Sequence, residues 1–334
     1  MTERPYVGGQ AVIEGVMMRS PRALAVAVRR PDGSIVLKED AWISLAERVG
    51  FLRWPFLRGS LVLLESVYNG LTALNFAASQ AEGGSEAQAL TPGHRAGTIA
   101  LAFVIAAALF IGLPHLLAFG SGEALGQSLE IQSFGFHALD GAFKLLIFVG
   151  YVYLIGRIPE VARVFQYHGA EHKVVNVYEN NLPLTVENAR RFTTFHARCG
   201  TSFVLFVLVL SIFMFAVVLP FVPMVSTIPI LNHLALIGLK VPLMIPLAGL
   251  AYEINRYAAA HPGQFWVQAL VQPGRWMQKL TTREPDDDQL EIALAAMLAA
   301  LRREAELGRT APIAVFRDFA ELSATIEPVS CTTN

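Results

Sequence analysis

Between residues 97 and 254 long apolar runs alternate with short polar segments. Residues 97–119 carry no Asp, Glu, Lys or Arg. A helix of about 20 such residues rises about 30 Å, the thickness of a bilayer's hydrocarbon core. Residues 138–158 form a second run, with Asp140 and Lys144 near its start. Residues 202–222 form a third, and 229–254 a fourth that contains Lys240, Pro242 and Pro246. The two prolines predict a bend, because each removes a helical N–H. This pattern predicts four membrane-spanning helices.

The flanks read differently. Residues 23–30 and 35–39 are short β-leaning runs around Pro31-Asp32-Gly33-Ser34, which predicts a hairpin. Upstream, Gly8-Gly9-Gln10-Ala11-Val12-Ile13-Glu14-Gly15-Val16-Met17-Met18-Arg19 sets glycines around a small apolar run. Residues 56–79 are apolar but interrupted by Arg58, Glu65, Asn69 and Asn75. They predict an amphipathic helix lying at the membrane interface or on the bundle, not a span. Near the C-terminus, acids crowd Glu284-Pro285-Asp286-Asp287-Asp288 as at a helix start. An amphipathic helix then runs through Leu290, Ile292, Leu294, Met297 and Leu301.

The expected fold is a mainly α, polytopic helical bundle of about four transmembrane helices with a small N-terminal β-containing cytoplasmic subdomain. The expected divisions are a soluble hairpin piece at 1–55 and an amphipathic helix with linker at 56–96. A membrane domain follows at 97–258, with an inner loop at 159–200. Interfacial and amphipathic helices occupy 259–308, and a flexible tail 309–334.

Composition agrees with a membrane protein. The chain is 54% hydrophobic and 16% charged, with mean hydropathy +0.46. A net charge of −1 provides no basic field for nucleic acid. Two cysteines, Cys199 and Cys331, are too few for a disulfide-stapled secreted domain. The polar N-terminus lacks the apolar core of a cleaved signal peptide, so insertion is expected to use internal spans. Lys and Arg number ten in residues 1–96, none in 120–137, five in 159–200, none in 223–228 and eight in 255–334. The positive-inside rule then places both termini and the 159–200 loop in the cytoplasm.

That loop carries the candidate chemistry. Tyr167-His168-Gly169-Ala170-Glu171-His172-Lys173 puts two histidines at i and i+4, on one helical face. The pattern H-x-x-E-H is the reverse of the zincin motif, in which two His bind zinc and the Glu is general base. His168 and His172 are thus candidate Zn²⁺ ligands and Glu171 a candidate catalytic base. The competing reading is that both rings cap carbonyls or pair with carboxylates. Further ligands could come from His196 and Cys199 in Phe195-His196-Ala197-Arg198-Cys199-Gly200, from Glu14, or from Glu253 at the inner end of the fourth span. For Glu253 an ion pair with Arg256 is an equal alternative. Asp140 and Lys144, four apart, can pair with each other.

These segments, with Leu57-Arg58-Gly59 and Thr281-Thr282-Arg283-Glu284-Pro285-Asp286-Asp287, resemble the YqhQ family of bacterial integral membrane proteins from about residue 6 to about residue 300. The family pattern often has Pro where this chain has Ala197. The resemblance implies a protein of the bacterial inner membrane and a metal-dependent enzyme, with no substrate specified. The leading expectation is a metal-dependent hydrolase of a peptide or lipid-linked substrate at the cytoplasmic face. Two alternatives stand beside it: an assembly or translocation accessory protein with a structural metal site and a membrane-protein partner, and a transporter using Lys240 and Asp140.

Overall fold

The computed structural model describes residues 4–81, 92–124, 130–196, 199–261, 264–306 and 311–326. Its first unit is an antiparallel sheet in the order β1-β2-β3-β4-β5. β1 (Gly8–Val12) and β2 (Gly15–Arg19) pair from Gly8↔Arg19 to Val12↔Gly15, so Ile13 and Glu14 form a two-residue turn. Glu14 takes a φ of 50°, as such tight turns require. The expected hairpin forms from β3 (Ala23–Arg29) and β4 (Ile35–Ala41), with Gly33 at φ 87° in its turn.

Period-two alternation gives this sheet two buried faces. Val16, Met18, Ala25, Ala27, Ile35 and Leu37 face one core. Met17, Leu24, Val26 and Val28 face the other, against Ala73 and Ala77. Those two alanines lie on α2 (Leu57–Ala81), which follows the short α1 (Leu45–Arg48). Buried Glu65 of α2 accepts the Leu45 N–H at 2.7 Å and the Ser44 hydroxyl at 2.9 Å.

The apolar middle folds as α3 (Pro92–Ala107), a π-turn, α4 (Leu113–Ala124), α5 (Phe134–Ile155), and later α8 (Gly200–Val218) and α9 (Pro229–Ala260). Among the described residues, five helical stretches are long and apolar enough to cross a membrane: the four expected, and α2 as well. Between α5 and α8 come α6 (Pro159–Glu179) and α7 (Val186–Arg190). Thr185 caps α7 by accepting the Asn188 N–H. The second run does not continue straight into the histidine segment. The helix breaks at 156–158, and Pro159 opens α6 at a position where its missing N–H costs nothing.

α10 (Phe265–Thr281) leads to α11 (Asp287–Ala305). Asp286 caps α11 in a reciprocal capping box with Gln289. Asp286→Ala should lower stability by about 1 kcal/mol, read as a shifted denaturation midpoint. α11 is the amphipathic helix expected, but it is buried on more than one side. Ala293, Ala295, Ala296, Ala299 and Ala300 are fully buried with Ile292, Leu294 and Met297, and the helix runs between the sheet and α6. Small side chains permit that approach on several sides at once. Within the expected tail at 309–334, residues 311–326 are described and hold two elements. β5 (Ala314–Phe316) pairs with β4, and α12 (Phe319–Thr325) packs Leu322 into the same core. Cys331 lies outside the described residues.

Candidate metal centre

α6 carries the histidine motif, and glycines decide what can approach it. A Cβ on Gly169 would lie 2.0 Å from the Arg283 carbonyl oxygen, so only glycine lets residues 281–284 lie across the helix. The Arg283 N–H closes that contact by donating to the Phe165 carbonyl at 2.9 Å. On another side, a Cβ on Gly9 of β1 would lie 2.5 Å from Glu171 Cγ. The glycine-rich first strand therefore makes room for the candidate base. Lys173, 2% exposed, pairs with the Glu284 carboxylate and so ties the same two segments together.

These contacts aim both imidazoles. His168 Nδ1 donates to the Thr281 carbonyl at 2.8 Å, and His172 Nδ1 donates to the Thr194 carbonyl at 2.5 Å. A carbonyl can only accept, so each ring holds its proton on Nδ1 and presents the Nε2 lone pair. Both rings meet Cys199, the residue before α8. Cys199 Sγ is 3.3 Å from His168 Nε2 and 3.0 Å from Thr201 Oγ1. One donor atom each from His168, His172 and Cys199 falls within 4.8 Å of the other two. Zinc bonds of about 2.0–2.1 Å to nitrogen and about 2.3 Å to sulfur, at a tetrahedral angle, separate N and S by about 3.6 Å. The observed spacing is close to that.

The site is buried, with His172 1% and Cys199 4% exposed. Burial pushes the Cys199 thiol up. Hydrogen bonding and proximity to His172, with the Thr201 hydroxyl, outweigh it and hold the thiol below its ordinary value. Glu171 Oε2 stands 3.6 Å from His172 Nε2, at the margin of the three donors.

The other candidate ligands are not among the three donors. The His196 ring lies beside His172, with centroids 5.6 Å apart, but its Nε2 is 3.3 Å from both Glu179 carboxylate oxygens. Burial pulls its pKa down. Its backbone is clamped by Gln278, which accepts the His196 N–H at 3.0 Å and donates to the His196 carbonyl at 2.8 Å. Glu14 is gripped by Arg163, at 2.7 Å from Nη2, and accepts the Tyr167 hydroxyl at 3.2 Å. Glu253 pairs with Arg58 of α2, at 2.6 Å from Nε, rather than with Arg256. Both carboxylates join elements and neither faces the histidine pair. Sequence reasoning missed the Thr194 and Thr281 carbonyls, Lys173 and Gln278. A backbone acceptor leaves no residue-type signal, whereas Lys173 and Glu284 both lay inside segments with recognisable patterns.

The sequence matches the family model described as "Protein of unknown function (DUF1385)" over residues 54–303. It is 33% identical over 318 residues to a Bacillus subtilis (strain 168) protein described as "Uncharacterized protein YqhQ", covering 90% of this chain and 94% of that one. No solved structure matches. The histidine motif, the cysteine turn and the 281–284 segment that converge here all fall within the matched residues, and the chain belongs to the DUF1385 family, with YqhQ as a relative along nearly its whole length.

Proposed function

We propose that this protein is a metal-dependent hydrolase of the bacterial inner membrane, working at the cytoplasmic face. One observation carries the reading. His168 and His172 each spend Nδ1 on a backbone carbonyl and present Nε2 beside the Cys199 sulfur. Metal-binding histidines are oriented by such outer hydrogen bonds. The carbonyl-capping alternative accounts for the Nδ1 contacts but does not call for both Nε2 atoms to converge with a thiol. Two imidazoles and a thiolate suit Zn²⁺, and three protein ligands are the complement of a catalytic rather than a closed site. A zinc ion held there supplies Lewis acidity and makes water nucleophilic near neutral pH.

Glu171 is the base. Its carboxylate accepts a proton from the attacking water and returns it to the leaving nitrogen or oxygen of a peptide or lipid-linked substrate. Glu171→Gln keeps the size and removes the base. Screened against a quenched fluorescent peptide library, wild type should cleave and the variant should lose at least ~100-fold in rate with its zinc content unchanged. Equal rates would remove Glu171 from the mechanism.

Connectivity supports the topology. β1 and β4 precede α2, whereas α6 packs on β1 and β5 pairs with β4. The chain must therefore cross an even number of times before α6 and again before β5. α3–α4 with α5, and α8 with α9, satisfy this, and a crossing by α2 would break it. α2 instead packs on the sheet and on α9. With the positive-inside count, the sheet, the metal centre and both ends of the described chain lie on the cytoplasmic side. The accessory-protein reading calls for a closed four-ligand site, whereas three donors group here and His196, though beside His172, gives its Nε2 to Glu179. The transporter reading calls for a hydrated cavity at Lys240, which is 0% exposed.

A further inference from the structure

A second ionisable cluster lies inside the apolar bundle, apart from the metal centre. α4 brings His115, α5 brings His137, Asp140 and Lys144, and α9 brings His233 and Lys240. α8 contributes Phe215 and no ionisable side chain. Lys240 Nζ donates to Asp140 Oδ2 at 2.7 Å and lies 3.3 Å from His115 Nδ1. His115 Nε2 lies 2.8 Å from His233 Nδ1. Lys144 Nζ is 3.8 Å from the same Asp140 oxygen, so the nearer partner of Asp140 is on another helix and not four residues along its own. The Phe215 ring covers both amines, at 5.1 Å from Lys144 Nζ and 5.9 Å from Lys240 Nζ. Every member but His233 is buried. Both ring nitrogens of His137 and Asp140 Oδ1 have no hydrogen-bond partner among the described residues.

Polar groups at this depth are costly to keep, and six of them converge. Charge counting shows what they lack. Two ammoniums and one carboxylate leave a net charge of +1 in an apolar interior. An uncompensated buried charge costs several kcal/mol. Neutrality requires one amine without its proton, and the coupled groups then share a single vacancy. The side chains touch one another directly. A proton is the ligand that needs no further room.

The cluster also has an entrance. α4 ends where α5 and α9 begin, so His137 and His233 lie near one end of the bundle. At 1.5 Å per residue, His233 sits about 6 Å along α9 from Pro229 and Lys240 about 16 Å along it. His233 is only half-buried, and from it the chain His233–His115–Lys240–Asp140 is continuous at hydrogen-bond distances. We propose that this cluster is a proton-binding site within the bundle, loaded through His233. A proton arriving at His233 Nε2 releases the Nδ1 proton to His115 Nε2. His115 then releases its Nδ1 proton to the Lys240 amine when Lys240 carries the shared vacancy. Both rings end neutral, and the charge rests on Lys240 beside Asp140. The proposal is independent of the metal centre.

The test is proton uptake by detergent-purified protein on a step from mildly alkaline to mildly acidic buffer, followed with an indicator dye. Lys144→Met leaves one amine and one carboxylate, a neutral set without a vacancy. It should take up about one proton less per chain than wild type. His233→Phe should keep the amount and slow the uptake by at least ~10-fold. Equal uptake in wild type and folded Lys144→Met, with circular dichroism as the check on folding, would overturn the proposal. So would unchanged kinetics in His233→Phe. If Lys144→Met does not fold, Lys240→Met has the same charge count and the same expected loss.

Discussion

Replacing His172 with alanine should strip zinc from the purified protein. Wild type should carry about one zinc per chain, and the variant less than about a tenth of that. The expectation follows from geometry. His172 is one of three donors, is almost fully buried, and has its Nδ1 proton committed to the Thr194 carbonyl. Losing a partner that merely orients a ligand costs roughly 10–100-fold in affinity, so losing the ligand itself should cost more. Binding requires an unprotonated imidazole and a Cys199 thiolate, so affinity should fall as pH falls. Elemental analysis of detergent-purified wild type and variant decides the matter. Absence of metal from wild type, or its retention by a folded His172→Ala chain, would end the metal reading.

Gly169→Ala should be nearly as damaging although glycine has no side chain to lose. The added Cβ would meet the Arg283 carbonyl oxygen at 2.0 Å, and that obstacle is backbone rather than a flexible side chain. Either α6 or residues 281–284 must move by more than an ångström, and the Thr281 carbonyl that fixes His168 moves with them. Overpacking of this kind costs about 1–3 kcal/mol and sometimes more. Denaturation should report the lost stability, and zinc affinity should fall even where the fold survives. Gly238→Ala is the control. It is also helical, nothing lies within 4 Å of its added Cβ, and it should leave both measurements almost unchanged. A Gly169→Ala protein as stable and as metal-competent as wild type would show that the 281–284 contact does not set the site.

Much of the architecture was legible because it follows from local patterns. Long apolar runs marked α3–α4, α5, α8 and α9. Pro31-Asp32-Gly33-Ser34 marked the β3–β4 turn, and the acids around Asp286 marked the start of α11. Other elements could not be read from local pattern alone, for identifiable reasons. α2 has both the hydropathy of a span and the buried polar residues of a packed helix, and only its sheet contact separates the two. The alanines of α11 are weak hydrophobic markers, so burial on several sides looked like one apolar stripe. β5 is three residues long, and its pairing with β4 joins positions nearly the whole chain apart.

By itself the sequence determined which residues could bind a metal, because helical periodicity puts His168 and His172 on one face whatever surrounds them. It also determined that Asp140, Lys144 and Lys240 lie in apolar runs, since depth follows from position along a helix. Tertiary structure alone decided the partners. It brought Cys199 to the histidines and turned His196 to Glu179. It gave Glu14 to Arg163 and Glu253 to Arg58, and joined Lys240 to Asp140 across the bundle. The reason is that spacing along one element encodes a direction, whereas a partner depends on which other element packs there and how closely. At this site that closeness is set by Gly9 and Gly169, which carry no functional group.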